Sequence, residues 1–240
     1  MNATLPQATL PLVVAMTGAS GAGIAIRLLE CLRHAGIPLQ LIVSDAAVEV
    51  LRTELDLQID SDRGEFVGAD FGLAPANSWW RKLSATPPRS LPTPETPTET
   101  PTETPNSTVR LYGAQDLLSP LASGSHLTRG MVICPCSGST LGAIAHSIGT
   151  NLIHRAAEVH LKERRRLVLV PRETPLSTPM LENMTAVSRH GAIVLPASPG
   201  WYHGVDSVFD LIDFVVARIL DQFQIPHGLM KRWGNDSEGP

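Results

Sequence analysis

The chain has few cysteines, no excess of positive charge and no long hydrophobic run, and each absence excludes a class of protein. Its 240 residues include three cysteines, an odd number without the paired spacing of zinc ligands. A disulfide framework and a structural zinc site are therefore excluded, and we expect a reduced, cytoplasmic compartment. The net charge of −4 argues against nucleic acid as a partner.

The termini and the histidines also lack recognisable signals. The N-terminal segment MNATLPQATLPLVVAM has no basic residues of the kind that begin a signal peptide. Its apolar part is too short to cross a bilayer, so we expect no membrane association. The eight histidines show no metal-ligand spacing, and the chain has no paired aspartate motif of the kind that holds magnesium. We therefore assign no metal ligand.

The pattern of apolar residues predicts a single α/β domain over residues 1–240, of which 43% are hydrophobic. Short apolar runs alternate with segments of helical periodicity, which is typical of a doubly wound, mainly parallel sheet in a Rossmann-like three-layer sandwich. The predicted strands are Leu10–Met16, Leu39–Val43, Met131–Cys134, Leu167–Val170 and Ala192–Leu195, and the predicted helices are Ile24–Arg33, Ala46–Leu55, Ser139–His146, Pro179–Arg189 and Ser207–Phe223.

One segment interrupts this alternation. Residues 85–107 repeat threonine, proline and glutamate and include seven prolines, so they can form neither a helix nor a strand ladder. We expect a surface spacer, because loops accept extra length at small entropic cost, although partner binding by this segment stays open. The preceding residues 60–80 show no clear pattern, and we expect part of them to be helical.

A glycine-rich turn, Thr17–Gly23, follows the first predicted strand and precedes the first predicted helix. Its glycines would let the backbone approach a phosphate, which the free amides and the dipole of the helix N-terminus would hold. The G-x-x-G-x-G spacing is neither the dinucleotide fingerprint nor a P-loop and favours a mononucleotide. Asp45 after the second strand leaves a nicotinamide cofactor open, and a purely structural tight turn also stays open.

Two more polar segments follow predicted strands and should lie at the same edge of the sheet. Residues 134–140 offer hydroxyls that could bind a ligand, cap the next helix, or do both. Arg172 and Glu173 directly follow the strand Leu167–Val170, where open α/β sheets bind their ligands, so we expect both side chains in the crevice. Arg164, Arg165 and Arg166 precede that strand and are expected to form a solvated turn.

Together these segments resemble the UbiX-type flavin prenyltransferases of the flavin-binding Rossmann-like superfamily. The resemblance is carried, in order, by TGASGAG, PCSGSTLGAIAHS, NLIHRAAEVHLKERRRLVLVPRETP, LENM, GAIVLPASPGWYH and FVVARILDQFQIP, and it covers residues 10 to 60 and 110 to 234. It implies transfer of a dimethylallyl group from dimethylallyl monophosphate to N5 and C6 of reduced FMN without a metal ion. It also implies a UbiD-type decarboxylase as recipient of the prenylated FMN, and a homo-oligomer, by resemblance a dodecamer.

The resemblance also implies a set of site residues. It places the FMN contacts at Gly18, Ala19, Ser20, Ser44, Ser137, Gly138, Ser139, Thr140 and Arg172. It places the prenyl-phosphate contacts at Tyr202, Arg218, Lys162, Arg155 and Trp233, and the catalytic residues at Glu173, Lys162, Arg155, Ser20 and Glu54. Arg166 stands where the family often has a proline. This difference does not fall on any of the site positions.

The residue types agree with that chemistry. Displacing phosphate from an allylic carbon requires cations, or a phenol, that stabilise the departing anion, as Lys162, Arg155, Arg218 and Tyr202 would. Arg218 lies on an otherwise apolar predicted helix, where it would be costly to bury without an anion. Glu173 is the candidate for handling the proton that leaves the flavin ring. A helix-terminal role for Lys162 and a core corner formed by Tyr202 with Trp201 stay open.

Two other functions stay open. A flavin-dependent cysteine decarboxylase belongs to the same superfamily, but those proteins carry an amide in the second polar turn, where this chain has Ser139. A non-enzymatic flavin-binding subunit would explain the glycine turn and leave Lys162, Glu173 and Arg218 without a role. The mass of the flavin that the protein releases would separate a flavin prenyltransferase from the other two functions.

Overall fold

A computed structural model of the chain describes residues 10–60, 65–67 and 108–230, together with the single positions Leu83, Pro88 and Leu91. The strands are β1 Leu12–Met16, β2 Leu39–Val43, β3 Gln58–Asp60, β4 Glu65–Val67, β5 Val109–Gly113, β6 Gly130–Cys136, β7 Leu167–Pro171 and β8 Ile193–Val194. The helices are α1 Ala22–His34, α2 Asp45–Leu55, α3 Gly138–Ala145, α4 Leu152–Lys162, α5 Thr178–Arg189 and α6 Val208–Gln222.

Six strands form one parallel sheet in the order β5-β2-β1-β6-β7-β8. Strand β1 pairs with β2 from Leu12 opposite Leu39, and with β6 from Leu12 opposite Gly130. The chain first builds outward from β1 through β2 to β5, and then returns to the other side of β1 with β6. The order therefore reverses between β1 and β6, and α/β sheets bind ligands at the carboxyl ends of the strands at such a switch point.

Helices cover both faces of the sheet, which explains why its central strands are buried at every position and are apolar apart from Gln40. Every residue of β1, β2, β6 and β7 is buried. One core cluster joins the sheet to α1, α2 and α6, and the second joins it to α3, α4 and α5. A strand covered on both sides needs apolar side chains at every position instead of alternating ones. The predicted doubly wound architecture is confirmed.

All ten elements predicted from apolar periodicity are present, with small shifts at their ends. Strand β5, the bounds of α4 and the antiparallel pair of β3 and β4 were not predicted. Strand β5 lies at the edge of the sheet and is partly exposed, so it lacks a continuous apolar run. Of residues 60–80 the structure describes Asp60 and Glu65–Val67, which are strand, and the expectation that part of the segment is helical stays a prediction because the remainder lies outside the described residues.

The three cysteines, Cys31, Cys134 and Cys136, are free and buried. Burial raises the pKa of the thiols of Cys31 and Cys136 to about 12, and it also raises that of Cys134. These thiols are therefore protonated and unreactive near neutral pH. No helix within the described ranges is both long and apolar enough to cross a membrane.

The segment predicted to be a spacer contains one residue that is part of the fold. Leu91 is partly buried and packs against the core cluster of α1, α2 and α6. The rest of the segment, apart from Pro88, lies outside the described residues. The spacer prediction therefore stays a prediction for positions other than Leu91.

We expect deletion of residues 93–106 to leave the melting temperature of the protein nearly unchanged, because that deletion keeps Leu91. The matched variant Leu91→Ser, in the full chain, should lower it by about 2–4 °C, the effect of losing about 1 kcal/mol of apolar burial. Thermal unfolding followed by circular dichroism measures both. A deletion that destabilises the protein as much as Leu91→Ser would contradict the spacer prediction.

Candidate active site at the carboxyl edge of the sheet

Thr17 joins the two polar turns that follow β1 and β6. Its hydroxyl donates to the carbonyl oxygen of Pro135 at 2.8 Å and accepts from the backbone amide of Ser137 at 2.7 Å. The side chain is buried, so both bonds are shielded from water. The two turns therefore lie side by side at the switch point, as the sequence predicted, although Thr17 itself was not identified as the link.

The glycine turn is tightly packed against the start of α2. A methyl group at position 18 would lie 2.6 Å from the Cβ atom of Ala46, so only glycine fits there. Gly21 has φ of 111°, in the left-handed region that disfavours other residues. Gly18 and Ser20 are exposed at the crevice, whereas Ala19 is buried beneath them. These constraints make the turn a rigid surface.

One expectation about the glycine turn is wrong. The amides at the start of α1 are not free, because Glu54 of α2 accepts from Gly21 N at 3.0 Å and from Ala22 N at 2.9 Å. A carboxylate at a helix N-terminus is favourable, since it satisfies unpaired amides and the dipole. The structure therefore places Glu54 at the glycine turn, and the anion that this helix end can hold is already supplied by the chain.

The second turn leaves its helix end open. Ser137 caps α3 by accepting from the amide of Thr140 at 3.3 Å, and its hydroxyl also contacts those of Ser139 at 3.1 Å and Thr140 at 3.0 Å. Within the described part of the chain, no acceptor faces the backbone amides of Gly138 and Ser139. Capping and ligand binding are thus compatible here. The start of α3 combines hydroxyls with unpaired amides, as an anion site requires.

Ser44 and Arg172 complete this edge. The hydroxyl of Ser44 caps α2 by accepting from Ala47 N at 3.2 Å, while its own amide donates to the carbonyl of Met16 at 3.1 Å. Arg172, after β7, donates from Nε to the carbonyl oxygen of Ser20 at 3.1 Å. The guanidinium therefore lies against the glycine turn, as expected for a residue directed into the crevice.

Glu173 is exposed at the end of β7, next to Arg172. Its carboxylate accepts only a long contact from the amide of Thr174, at 3.3 Å, among the described residues. An exposed carboxylate with so weak a partner can accept a proton from a ligand without first breaking a strong ion pair. Its placement in the crevice stays a prediction.

Tyr202 and Arg218 are related through one face of α6. Asp210, Phe214 and Arg218 are four residues apart, so they lie on neighbouring turns of the same face. The ring of Tyr202 packs edge-on against Phe214, with centroids 5.9 Å apart. Phe214, the residue that Tyr202 contacts, is four residues and about 6 Å along the helix axis from Arg218.

Solvent exposure decides two points about these residues that the sequence left open. Arg218 is not buried, since 48% of its side chain is exposed, and it pairs with Asp221 at 2.8 Å. Trp201 and Tyr202 do not form a core corner, because they are 69% and 58% exposed. The turn that carries Trp201 and Tyr202 projects into solvent. The apolar neighbours of Arg218 on α6 face the sheet, whereas Arg218 itself faces solvent. Trp233 lies outside the described residues.

The cations of α4 lie on the other face of the sheet. Arg155 donates to the carbonyl of Ala122 and pairs with Glu158, both at 3.2 Å. Lys162, two helical turns further on, pairs with Glu163 at 2.8 Å. Because α4 leads directly into the amino end of β7, Lys162 lies at the opposite edge of the sheet from Glu173. One chain therefore does not bring Lys162 together with Glu173 or Arg218.

The three consecutive arginines are only partly the solvated turn that was expected. Arg165 donates to the carbonyl oxygens of Gly124 and His126, and Arg166 donates to that of Gln222. These bonds tie the loop after β5 and the end of α6 to the start of β7. Arg164 is exposed. No group of three or more metal-ligating side chains was found in the residues that the structure describes.

A crevice at the switch point of a parallel sheet, lined by hydroxyls, an open helix N-terminus and an arginine, defines a nucleotide-binding or flavin-binding α/β protein. The model of the flavoprotein family matches residues 3–220. The chain is 42% identical over 230 residues to the flavin prenyltransferase UbiX of Pseudomonas aeruginosa, with 93% of each chain covered.

Two solved structures are similar along nearly their whole length. The crystal structure of AnUbiX (PadA1) in complex with FMN and dimethylallyl pyrophosphate is 34% identical, with a TM-score of 0.71, and the match covers 95% of this chain and 98% of that one. A dodecameric FMN-dependent UbiX-like decarboxylase from Escherichia coli O157:H7 is 33% identical, with a TM-score of 0.71 and coverage of 94% and 100%. This chain belongs to the flavoprotein family and, within it, to the UbiX-type flavin prenyltransferases.

We expect Gly18→Ala to weaken FMN binding by about tenfold, because the added methyl group must push the glycine turn away from α2 and misalign its polar contacts. Gly113→Ala is the matched control, since a methyl group there meets no atom within 4 Å. Fluorescence titration of apoprotein with FMN measures the affinity. Equal affinities for the two variants would show that the packing of Gly18 does not shape the flavin site.

Proposed function

We propose that this protein joins the dimethylallyl group of dimethylallyl monophosphate to N5 and C6 of reduced FMN, independently of metal ions. The observation that carries the proposal is the 42% identity to a flavin prenyltransferase across almost the whole chain. The polar crevice between β1 and β6 supports it, because a flat ligand bearing a phosphate matches the hydroxyls, amides and cation found there. Reduced FMN, when bound, supplies the electron-rich N5 and C6 atoms.

The residues at the carboxyl edge fit FMN. The unpaired amides of α3 and the hydroxyls of its first turn suit the phosphate, and the rigid glycine turn suits a flat ring. The proposed contacts are Gly18, Ala19, Ser20, Ser44, Ser137, Gly138, Ser139, Thr140 and Arg172. Arg172 is already held against the glycine turn through the carbonyl of Ser20, so its charge is positioned before any ligand arrives.

The prenyl phosphate requires groups that neutralise the leaving anion. Tyr202, in the turn before α6, and Arg218, on α6 itself, would hold the phosphate from one side through a phenol and a guanidinium. Arg155 and Lys162 would supply further positive charge, and Trp233 would help to enclose the site. Each cation is already paired with a neighbouring carboxylate at the surface, and such exposed pairs are weak enough for a phosphate to displace.

Proton handling is assigned to the exposed carboxylate after β7. Glu173 would accept the proton that leaves the flavin ring, either directly or through the released phosphate. Ser20 and Glu54 complete the proposed catalytic set at the glycine turn. Because Glu54 holds the amides of Gly21 and Ala22, its contribution would be to fix the turn that presents Ser20.

Assembly would bring the two groups of cations together. In one chain α4 and α6 lie on opposite faces of the sheet, so the phosphate would meet Arg155 and Lys162 from a second copy. We therefore propose a homo-oligomer, with a dodecamer as the expected state. A UbiD-type decarboxylase would receive the prenylated FMN, and the reduced cysteines agree with a cytoplasmic location.

The proposed reaction predicts a defined product. Given reduced FMN and dimethylallyl monophosphate, with chelator present and oxygen excluded, the protein should release inorganic phosphate and form a flavin heavier by one five-carbon unit. Mass spectrometry of the extracted flavin and a phosphate assay measure the two products. An unmodified flavin, or activity only after a divalent metal is added, would contradict the proposal. A cysteine decarboxylase or a flavin carrier would also return unmodified flavin.

Glu173→Gln should slow prenylation by about a hundredfold while FMN binding stays intact, because the amide keeps the shape of the side chain but cannot accept the proton. Glu49→Gln is the matched control, since Glu49 is an exposed carboxylate that pairs only with Arg52 among the described residues. Single-turnover formation of the product measures the rate. If Glu173→Gln is as fast as the control, Glu173 has no part in proton transfer.

A further inference from the structure

The ring of Tyr202 is supported from behind although its surface is largely exposed. Phe214 and His203 both meet it edge-on, at centroid distances of 5.9 and 6.0 Å and interplanar angles of 87° and 83°. Gly200 closes the third side, since a methyl group there would lie 2.9 Å from Cε1 of Tyr202 and 3.0 Å from the ring of Phe214. An exposed tyrosine without such neighbours would move between rotamers.

His203 is the member of this group that is fixed to a helix by a directional bond. Its Nε2 atom lies 3.1 Å from the carbonyl oxygen of Asp210, and since a carbonyl can only accept, Nε2 carries the hydrogen and donates. The imidazole also stacks on Phe214, with centroids 5.2 Å apart and an angle of 28°. Two contacts of different kinds therefore define the plane of the ring.

The residue to which His203 bonds is itself held firmly. The carboxylate of Asp210 accepts from Asp206 N at 3.0 Å, from Ser207 N at 2.8 Å and from the hydroxyl of Ser207 at 3.0 Å. These bonds form a capping box at the start of α6, which fixes the first turn of the helix. His203 is thus attached to one of the most rigid points of this region.

The choice of histidine here is not explained by packing alone. Its Nδ1 atom is shielded from solvent and has no hydrogen-bond partner among the described residues. An unpaired buried nitrogen is unfavourable, and a phenylalanine would stack on Phe214 without leaving one. Histidine adds the directional bond from Nε2 to the carbonyl oxygen of Asp210. This bond orients the imidazole ring of His203, which packs against Tyr202.

We propose that His203 is a positioning residue for Tyr202. By bonding to Asp210 and stacking on Phe214, it holds the phenol ring on the face of α6 that also carries Arg218. The phenol then meets the prenyl phosphate without first losing rotamer freedom, which lowers the cost of binding. This inference rests on the function proposed above, in which Tyr202 and Arg218 contact the phosphate.

A double-mutant cycle tests whether His203 acts through Tyr202. His203→Ala should raise the KM for dimethylallyl monophosphate by about tenfold, the effect of one misplaced hydrogen bond to a charged group, with FMN binding unchanged. In a Tyr202→Phe background the same change should raise it by less than about twofold, because the hydroxyl is already absent. His190→Ala, at the exposed end of α5, is the control for loss of an imidazole.

Two further variants separate the hydrogen bond to Asp210 from the ring stacking on Phe214. His203→Gln can restore a donor to Asp210 and should recover part of the KM, whereas His203→Phe keeps the ring and should not. Additive effects of His203→Ala and Tyr202→Phe, or a KM unchanged by His203→Ala while the wild type turns over, would overturn the inference alone. A wild-type protein that forms no prenylated flavin would instead remove the proposed function, and this inference with it.

Discussion

A buried ion pair joins Arg27 of α1 to Asp213 of α6. It thereby connects the helix that begins at the glycine turn to the helix that packs against Tyr202. Arg27 Nε lies 2.7 Å from Oδ1 of Asp213 and Arg27 Nη2 lies 3.2 Å from Oδ2, and the two side chains are only 4% and 3% exposed. Burial alone would lower the pKa of Arg27, but the hydrogen bond and charge of Asp213 raise it above its usual value. Burying both charges costs hydration, so such a pair is weak evidence for added stability. We infer that its contribution is orientation, because α1 begins at the glycine turn and Asp213 is next to Phe214.

The same geometry explains how the functional side chains are divided. The parallel sheet is covered on both faces, so side chains that bind a ligand must come from its edges or from the outer faces of its helices. The proposed flavin contacts lie at the carboxyl edge, whereas the cations proposed to bind the phosphate lie on α4 and α6, which cover opposite faces of the sheet. Charges on opposite faces of one sheet cannot meet on one small phosphate. A site that needs both sets must therefore be completed by a second copy of the chain.

Apolar periodicity was sufficient to predict the fold, since buried strands and amphipathic helices follow directly from local sequence. The elements that it missed carry weaker local signals. Edge strand β5 is half exposed, and α4 is best indicated by Asn151, whose side chain caps it by accepting from the amide of His154 at 2.9 Å. Long-range contacts could not be predicted. Glu54 is 33 residues from Gly21, and no local pattern reveals that it reaches the start of α1. The exposure of Arg218 likewise depends on how α6 rotates against the sheet.

Because the carboxylate of Glu54 occupies the N-terminus of α1, it limits where the phosphate of a flavin can bind in the crevice. Two helices begin at the switch point, and each N-terminus carries partial positive charge. At α1 that charge is matched by a carboxylate from within the chain, which would also repel a phosphate that approached it. At α3 the cap is the neutral hydroxyl of Ser137, and the amides of Gly138 and Ser139 have no acceptor among the described residues. A phosphate group is therefore directed to α3. The ring system attached to it would then lie beside the glycine turn after β1, where Arg172 donates to the carbonyl oxygen of Ser20.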